Sequence, residues 1–140
     1  MSTTASVPAR TAGVKILPSS LSPALLSILR IMTGLLLMEH GTGKLLGFPA
    51  GLPFIDQMPT GMLWFTGLME LIGGILITIG LFTRPAAFVL AGFCAFAFFL
   101  AHFPHSFFPA KNGGEAAVLF CFIFLYLAAA GPGPWSVDRE

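Results

Sequence analysis

Four apolar stretches, separated by segments rich in Gly and Pro, organise the chain. The first runs over about residues 21–46 and is unusual, because Arg30 lies in its first half and Glu39, His40 and Lys44 crowd its far end. Its uninterrupted middle, residues 31–38, is too short to cross the roughly 30 Å hydrocarbon layer of a bilayer. The stretch spans only if its polar groups face protein or reach the interfaces. Residues 47–60, with Pro49, Pro53 and Pro59, read as a loop. The second stretch, 61–82, is the clearest helix, interrupted only by Glu70 and carrying Gly67, Gly73, Gly74 and Gly80 as a small-residue surface. Thr83-Arg84-Pro85 reads as a tight turn. A Phe-rich third stretch, 86–102, ends at His102, and a loop closed by Asn112-Gly113-Gly114 leads to a fourth, 115–130. The fourth is short but spans if the bilayer thins locally. Gly131-Pro132-Gly133-Pro134 terminates it, and Trp135 suits a membrane interface.

Composition decides which solvent these stretches meet. The 140 residues are 56% hydrophobic and 9% charged, with a mean hydropathy of +0.88. A water-soluble domain carries about a quarter charged residues, so this surface is made for lipid. The expected architecture is all-α: an integral membrane, up-down four-helix bundle over residues 21–131. A flexible polar tail of residues 1–20 precedes it, with no removable signal peptide, and a short tail of residues 132–140 follows. The net charge of +1 leaves no basic stripe for nucleic acid. Arg10, Lys15, Arg84 and Arg139 fall on the side of the termini against Lys44 and Lys111 opposite, which predicts cytoplasmic termini. Cys94 and Cys121 form no metal-binding or CxxC spacing. They read as buried small hydrophobes, or as a pair at similar depth on neighbouring helices.

Alternating helix direction has a consequence for chemistry. Glu39, His40 and Lys44 end the first helix, His102 and His105 end the third, and Lys111 and Glu115 begin the fourth, so all lie at one end of the bundle. Glu70 follows Met62 by eight residues, roughly 12 Å inside that same end at about 1.5 Å per residue. A carboxylate at that depth is costly unless paired or protonated, and marks a functional site by default. Glu39 and His40 are adjacent and point about 100° apart, so at most one aims into the core. Lys44, Lys111 and Glu115 also suit interfacial anchors, and His105 a water-facing loop. Pro104 between His102 and His105 argues against a shared metal on a helix. A His/Glu cluster of this kind relays protons, binds a quinone head or holds a haem. No phosphate loop or nucleophile elbow is present.

Several separated motifs resemble one family. Arg30 with the Gly-containing turn after it, His40-Gly41 and Lys44-Leu45 are similar to the opening of the DoxX family of small bacterial membrane proteins. Glu70 with Gly73-Gly74, then Gly80-Leu81 and Thr83-Arg84, resembles its second helix and turn. Asn112-Gly113-Gly114-Glu115, Gly131-Pro132-Gly133, Ser136 and Asp138 resemble its last helix and tail. The resemblance covers about residues 21–138. It implies a four-helix bundle in the bacterial plasma membrane and a loose label of membrane-associated oxidoreductase. Some members are subunits of a thiosulfate:quinone oxidoreductase, others join assemblies handling thiol or oxidative stress, and distant ones act as chaperones or cargo receptors. The family pattern marks Arg30, His40, Lys44, Glu70, Arg84, His102 and Glu115.

Two expectations follow. The first is a redox-linked subunit that depends on a membrane or periplasmic partner or on a second copy. Glu70, His40 and His102 carry its chemistry, and Arg30, Glu39, Lys44, Arg84 and Glu115 hold a cofactor. The sequence leaves the cofactor unidentified, with quinone weighed ahead of haem, and no metal site is expected. The alternative is a non-enzymatic adaptor, chaperone or assembly factor that docks a partner through its Gly-rich helix surfaces. Proton-coupled transport fits a four-helix chain less well.

Overall fold

The computed structural model describes residues 16–139. Arg10, Lys15 and most of the expected N-terminal tail lie outside these residues. Four long helices account for the bundle: α1 (Ser22–Leu46), α2 (Thr60–Ile79), α3 (Thr83–Ala97) and α4 (Glu115–Ala130). α3 continues as a π-helical turn over Phe98–His102 and a 3-10 turn over Phe103–His105. One further helical turn, Pro109–Asn112, precedes α4. Three helical segments, Ser19–Leu46, Thr60–Ile79 and Thr83–His105, are long and apolar enough to cross a membrane, and Glu115–Ala130 is a shorter apolar helix. The outside is that of a membrane protein. Phe65, Ile72, Phe88, Phe96, Phe99, Leu119 and Phe122 are all exposed, and no soluble monomer covers itself this way.

The inside is small and tight. α1 packs on α2 and α3 on α4, while α2 and α3 touch sparsely. A Cβ added at Gly34 would lie 2.7 Å from the Thr78 amide nitrogen, and one at Gly41 2.6 Å from that of Leu71. Only glycine permits so close an approach of α1 and α2, and close approach is what holds helices together in lipid. Leu37 and Ile77 from that pair meet Ala87, Leu90, Ala91, Cys94, Phe124 and Leu127 in the core. Thr33, Thr42 and Thr78 return their hydroxyls to carbonyls of their own helices, so the donors are satisfied without water.

Two boundaries differ from those expected. The second helix ends at Ile79, because Gly80 adopts a left-handed φ of 71° and its amide and that of Leu81 bond back to Leu76. The turn expected over residues 83–85 is instead the first turn of α3. Asp138 caps it from the far end of the chain, accepting hydrogen bonds from the Phe82 and Thr83 amides at 2.9 and 2.8 Å.

That cap belongs to a tail that folds back beneath the bundle. Val137 and Asp138 donate their amides to Ile79 and Gly80 carbonyls, and the Trp135 amide donates to Ser27 Oγ at 3.1 Å. Gly133, with φ of 75°, leaves room for Ser27 where a side chain would collide. Arg30 is fully buried. Its Nη1 donates to the Ile77 and Thr78 carbonyls at 3.0 and 3.1 Å, and its Nη2 to the Trp135 carbonyl. Arg84 Nη1 donates to the Ala128 and Ala129 carbonyls at 3.1 and 2.5 Å. Each arginine therefore closes a helix C-terminus whose last carbonyls lack intrahelical partners.

Candidate functional site

At the opposite end the same close packing of α1 and α2 brings two charges together. Gly67 on α2 leaves room for Leu45 and the stem of Lys44, since a Cβ there would lie 2.8 Å from Leu45 and 3.2 Å from Lys44 Cβ. Lys44 can then reach along α2 to Glu70. Its Nζ lies 2.6 Å from Glu70 Oε1, and both side chains are nearly buried, at 12% and 9% exposure. An ion pair this dry holds together only with good geometry and satisfied neighbours. Lys44 satisfies one carboxylate oxygen. The other, Glu70 Oε2, is buried and has no hydrogen-bond partner among the described residues.

Lys44 and Glu70 form part of the wall of a cavity of about 230 Å³. His40 and His102 line it too, with Cys94, Thr66 and Gly113, and the rest of the lining is apolar and rich in Phe. His40 meets the edge of Phe120 with ring centroids 6.0 Å apart. His102 Nδ1 lies 3.1 Å from the Asn112 carbonyl. A carbonyl only accepts, so this contact assigns the proton to Nδ1 and leaves Nε2 as the acceptor in the neutral ring. Asn112 is buried and fixes the α3–α4 connection: its Nδ2 donates to the Ser106 carbonyl at 2.8 Å, and its Oδ1 accepts from the Gly114 amide at 2.7 Å. Leu52, Pro53, Phe54 and Ile55 of the α1–α2 loop also line the cavity. There Phe54, with φ of 67°, meets His102 edge-on and stacks on His105.

The structure thus gathers His40, Lys44, Glu70 and His102 around one cavity. Of the adjacent pair, helix rotation turns His40 towards α4 and leaves Glu39 exposed on the outer face of α1. Glu115 is exposed in the first turn of α4 and does not line the cavity. Arg30 and Arg84 lie at the other end, engaged by main-chain carbonyls. Among the described residues, no three His, Cys, Asp or Glu side chains come together as a metal site. Cys94 and Cys121 are both free thiols. Cys94 belongs to the core and the cavity wall, and Cys121 packs against that core.

Three residues escaped the sequence reading of chemistry, two beside the cavity and Asp138 at the opposite end of the bundle. Asn112 was legible only as part of a turn, although a polar amide beside two glycines is a signal for a buried loop anchor. Phe54 sits in a Pro-rich loop without periodicity, so nothing marked it as part of the cavity wall. Asp138 gave no sign that it would cap a helix more than fifty residues earlier in the chain.

Comparison with known proteins agrees with this architecture. The DoxX family model matches residues 25–103. An uncharacterized protein of Haemophilus influenzae is 38% identical over 122 residues, covering 84% of this chain and 91% of the relative. The inner membrane protein YqjF of Escherichia coli is 32% identical, covering 80% of this chain and 88% of its own. A Bacillus subtilis protein whose name reads "Putative oxidoreductase CatD" is 33% identical over 66 residues, 46% of this chain and 49% of the relative. No solved structure matches the chain. Helices, apolar exterior and relatives agree that this is a multi-pass inner membrane protein, and the chain belongs to the DoxX family.

Proposed function

We propose that the protein is a quinone-binding subunit of a membrane oxidoreductase assembly, with the Lys44–Glu70 cavity as the quinone site. The observation that carries this reading is Glu70, which forms part of the wall of a largely apolar cavity and whose buried Oε2 has no hydrogen-bond partner among the described residues. Leaving such an atom unpaired is costly, and a ligand that donates a hydrogen bond removes the cost. Quinol hydroxyls donate, whereas quinone carbonyls accept from a cation or an imidazole N–H. Lys44 and His40 supply such donors, His102 Nε2 is left to accept from a quinol hydroxyl, and the Phe-rich remainder of the wall suits an aromatic ring.

Reduction of a quinone consumes two electrons and two protons. The electrons come from a redox centre on a partner subunit, and oxidation of the quinol sends both back the same way. This chain's residues handle the protons: Glu70 and a histidine each hold or release one at a ring oxygen. Arg30 and Arg84 fasten helix ends in this reading, and Glu39 and Glu115 take no part in the cavity. The oxidoreductase in the printed name of the Bacillus subtilis relative is consistent with it. By sequence, Arg10, Lys15, Arg84 and Arg139 on the side of the termini, against Lys44 and Lys111 opposite, support cytoplasmic termini and a site in the outer half of the bilayer.

Solvent extraction of the detergent-purified protein, followed by absorbance and chromatographic analysis, tests the proposal. Quinone recovered from the wild type and lost from Glu70→Gln is the expected result. Equal recovery from both rejects the site. A stably co-purifying enzyme that works normally after Glu70→Gln and His40→Ala would instead favour the adaptor role.

A further inference from the structure

The space around Glu70 has a neighbour. Phe65 forms part of the cavity wall and also part of a second wall, that of a groove of about 420 Å³ between α2 and α3. From Phe65 the groove passes Ile72 and Leu76 on α2, and Val89 and Pro85 on α3, towards Phe82. Every side chain lining it is apolar. The groove exists because α1 pairs with α2 and α3 with α4, which leaves the α2–α3 seam underfilled.

A polar-lined pocket joined through one shared side chain to an apolar trough is the shape of an amphiphile with a small head and a flexible chain. We infer that the groove seats the polyprenyl chain of the quinone whose head occupies the cavity, an inference that rests on the quinone reading above. The ligand class is then a lipid-borne, long-chain quinone that enters sideways from the bilayer. Depth favours this class over a phospholipid. Glu70 lies ten residues into α2, about 15 Å along the helix axis, and a charged phosphate headgroup does not leave the aqueous interface for such a depth. A neutral quinone head dissolves there. Phe65 marks the place where head gives way to chain.

Photolabelling of the full chain in lipid nanodiscs tests the inference. The probe is a benzoquinol, kept reduced, bearing an alkyl chain that ends in a diazirine, and the competitor is the same headgroup without the chain. Label should concentrate on Ile72, Leu76 and Val89 and fall with excess competitor. Val89→Trp substitutes an exposed position, so folding should survive. It should cut the groove label by at least about fivefold while headgroup affinity stays within about twofold, fivefold being roughly 1 kcal/mol of displaced chain. Competitor-sensitive label spread over Leu119 and Phe122, or unchanged by Val89→Trp, overturns the groove and leaves the quinone site standing. Label indifferent to both the competitor and Glu70→Gln removes the quinone site and the groove with it.

Discussion

The two ends of the bundle carry similar groups and use them in opposite ways. At the end where the tail folds back, Arg30 and Arg84 spend their N–H groups on main-chain carbonyls of α2, α4 and the tail, and Asp138 spends both oxygens on amides that open α3. Interactions there tie backbone to backbone, and the only orphaned side-chain atoms are Arg30 Nε and Thr83 Oγ1 among the described residues. At the other end, Lys44 and Glu70 pair side chain to side chain, His40 and His102 flank them, and a cavity remains. One end is closed by its own chain. The other is left with space and an unpaired carboxylate oxygen, which is the condition for binding something else.

The contrast is broken most forcefully at Arg30. Arg30→Met strands three carbonyls in a buried setting and should cost about 3–5 kcal/mol, read as a large fall in Tm in detergent. Quinone affinity of the protein that remains folded should not change. If affinity falls with stability, the two ends are not separable.

Lys44→Met tests the other end. It leaves Glu70 charged and alone, at a cost of about 3 kcal/mol. The double variant Lys44→Met with Glu70→Gln should recover most of that loss, since a neutral amide tolerates the site better. Equal Tm values for the single and double variants would show that the pair contributes through packing and not through charge.

A smaller effect belongs to Asp138. Slight burial alone would raise its carboxyl, but hydrogen bonds from Thr83 and Phe82 and the nearby Arg30 guanidinium hold it below the ordinary carboxylate range. The folded value is thus lower than the unfolded value of about 3.9. Its contribution is complete above that pH and is lost as pH falls through the lower folded value. Asp138→Ala should cost about 1 kcal/mol near neutrality and flatten the acid limb of a Tm-against-pH curve. An unchanged acid limb would detach the tail from the stability of this end.

The smallest expected effect is on orientation. Asn112→Ser shortens the side chain that fixes the loop beneath His102, and should weaken quinone binding about threefold while Tm falls by only a few degrees. No change in affinity would leave His102 without a positioning role.

The distribution of these roles was partly legible in the sequence. Apolar runs and their breakers predicted four helices, and the alternation of direction predicted that Glu70, His40, Lys44 and His102 would share one end. Rotation about α1 was legible only as a choice: Glu39 and His40 are about 100° apart, and packing of α1 against α2 through Gly34 and Gly41 decided for His40. The fate of the arginines was not legible. A buried cation predicts an acceptor but does not say whether that acceptor is a ligand or the main chain. Here the acceptors include the Trp135 carbonyl, delivered by a tail that Gly131-Pro132-Gly133-Pro134 announced only as a helix terminator. A Pro/Gly segment has no periodicity, so its return beneath Ser27 and Gly80 depends on tertiary packing alone.

On the proposal above, the open end binds quinone and quinol through Glu70. Its most direct test is equilibrium binding of a short-chain benzoquinol, kept reduced, to the wild type and to Glu70→Gln in nanodiscs, at matched folded fraction. Binding by the variant should be at least about tenfold weaker, the loss of one charge-assisted hydrogen bond of roughly 1.4 kcal/mol or more. Equal affinities, or no binding by either protein, would contradict it.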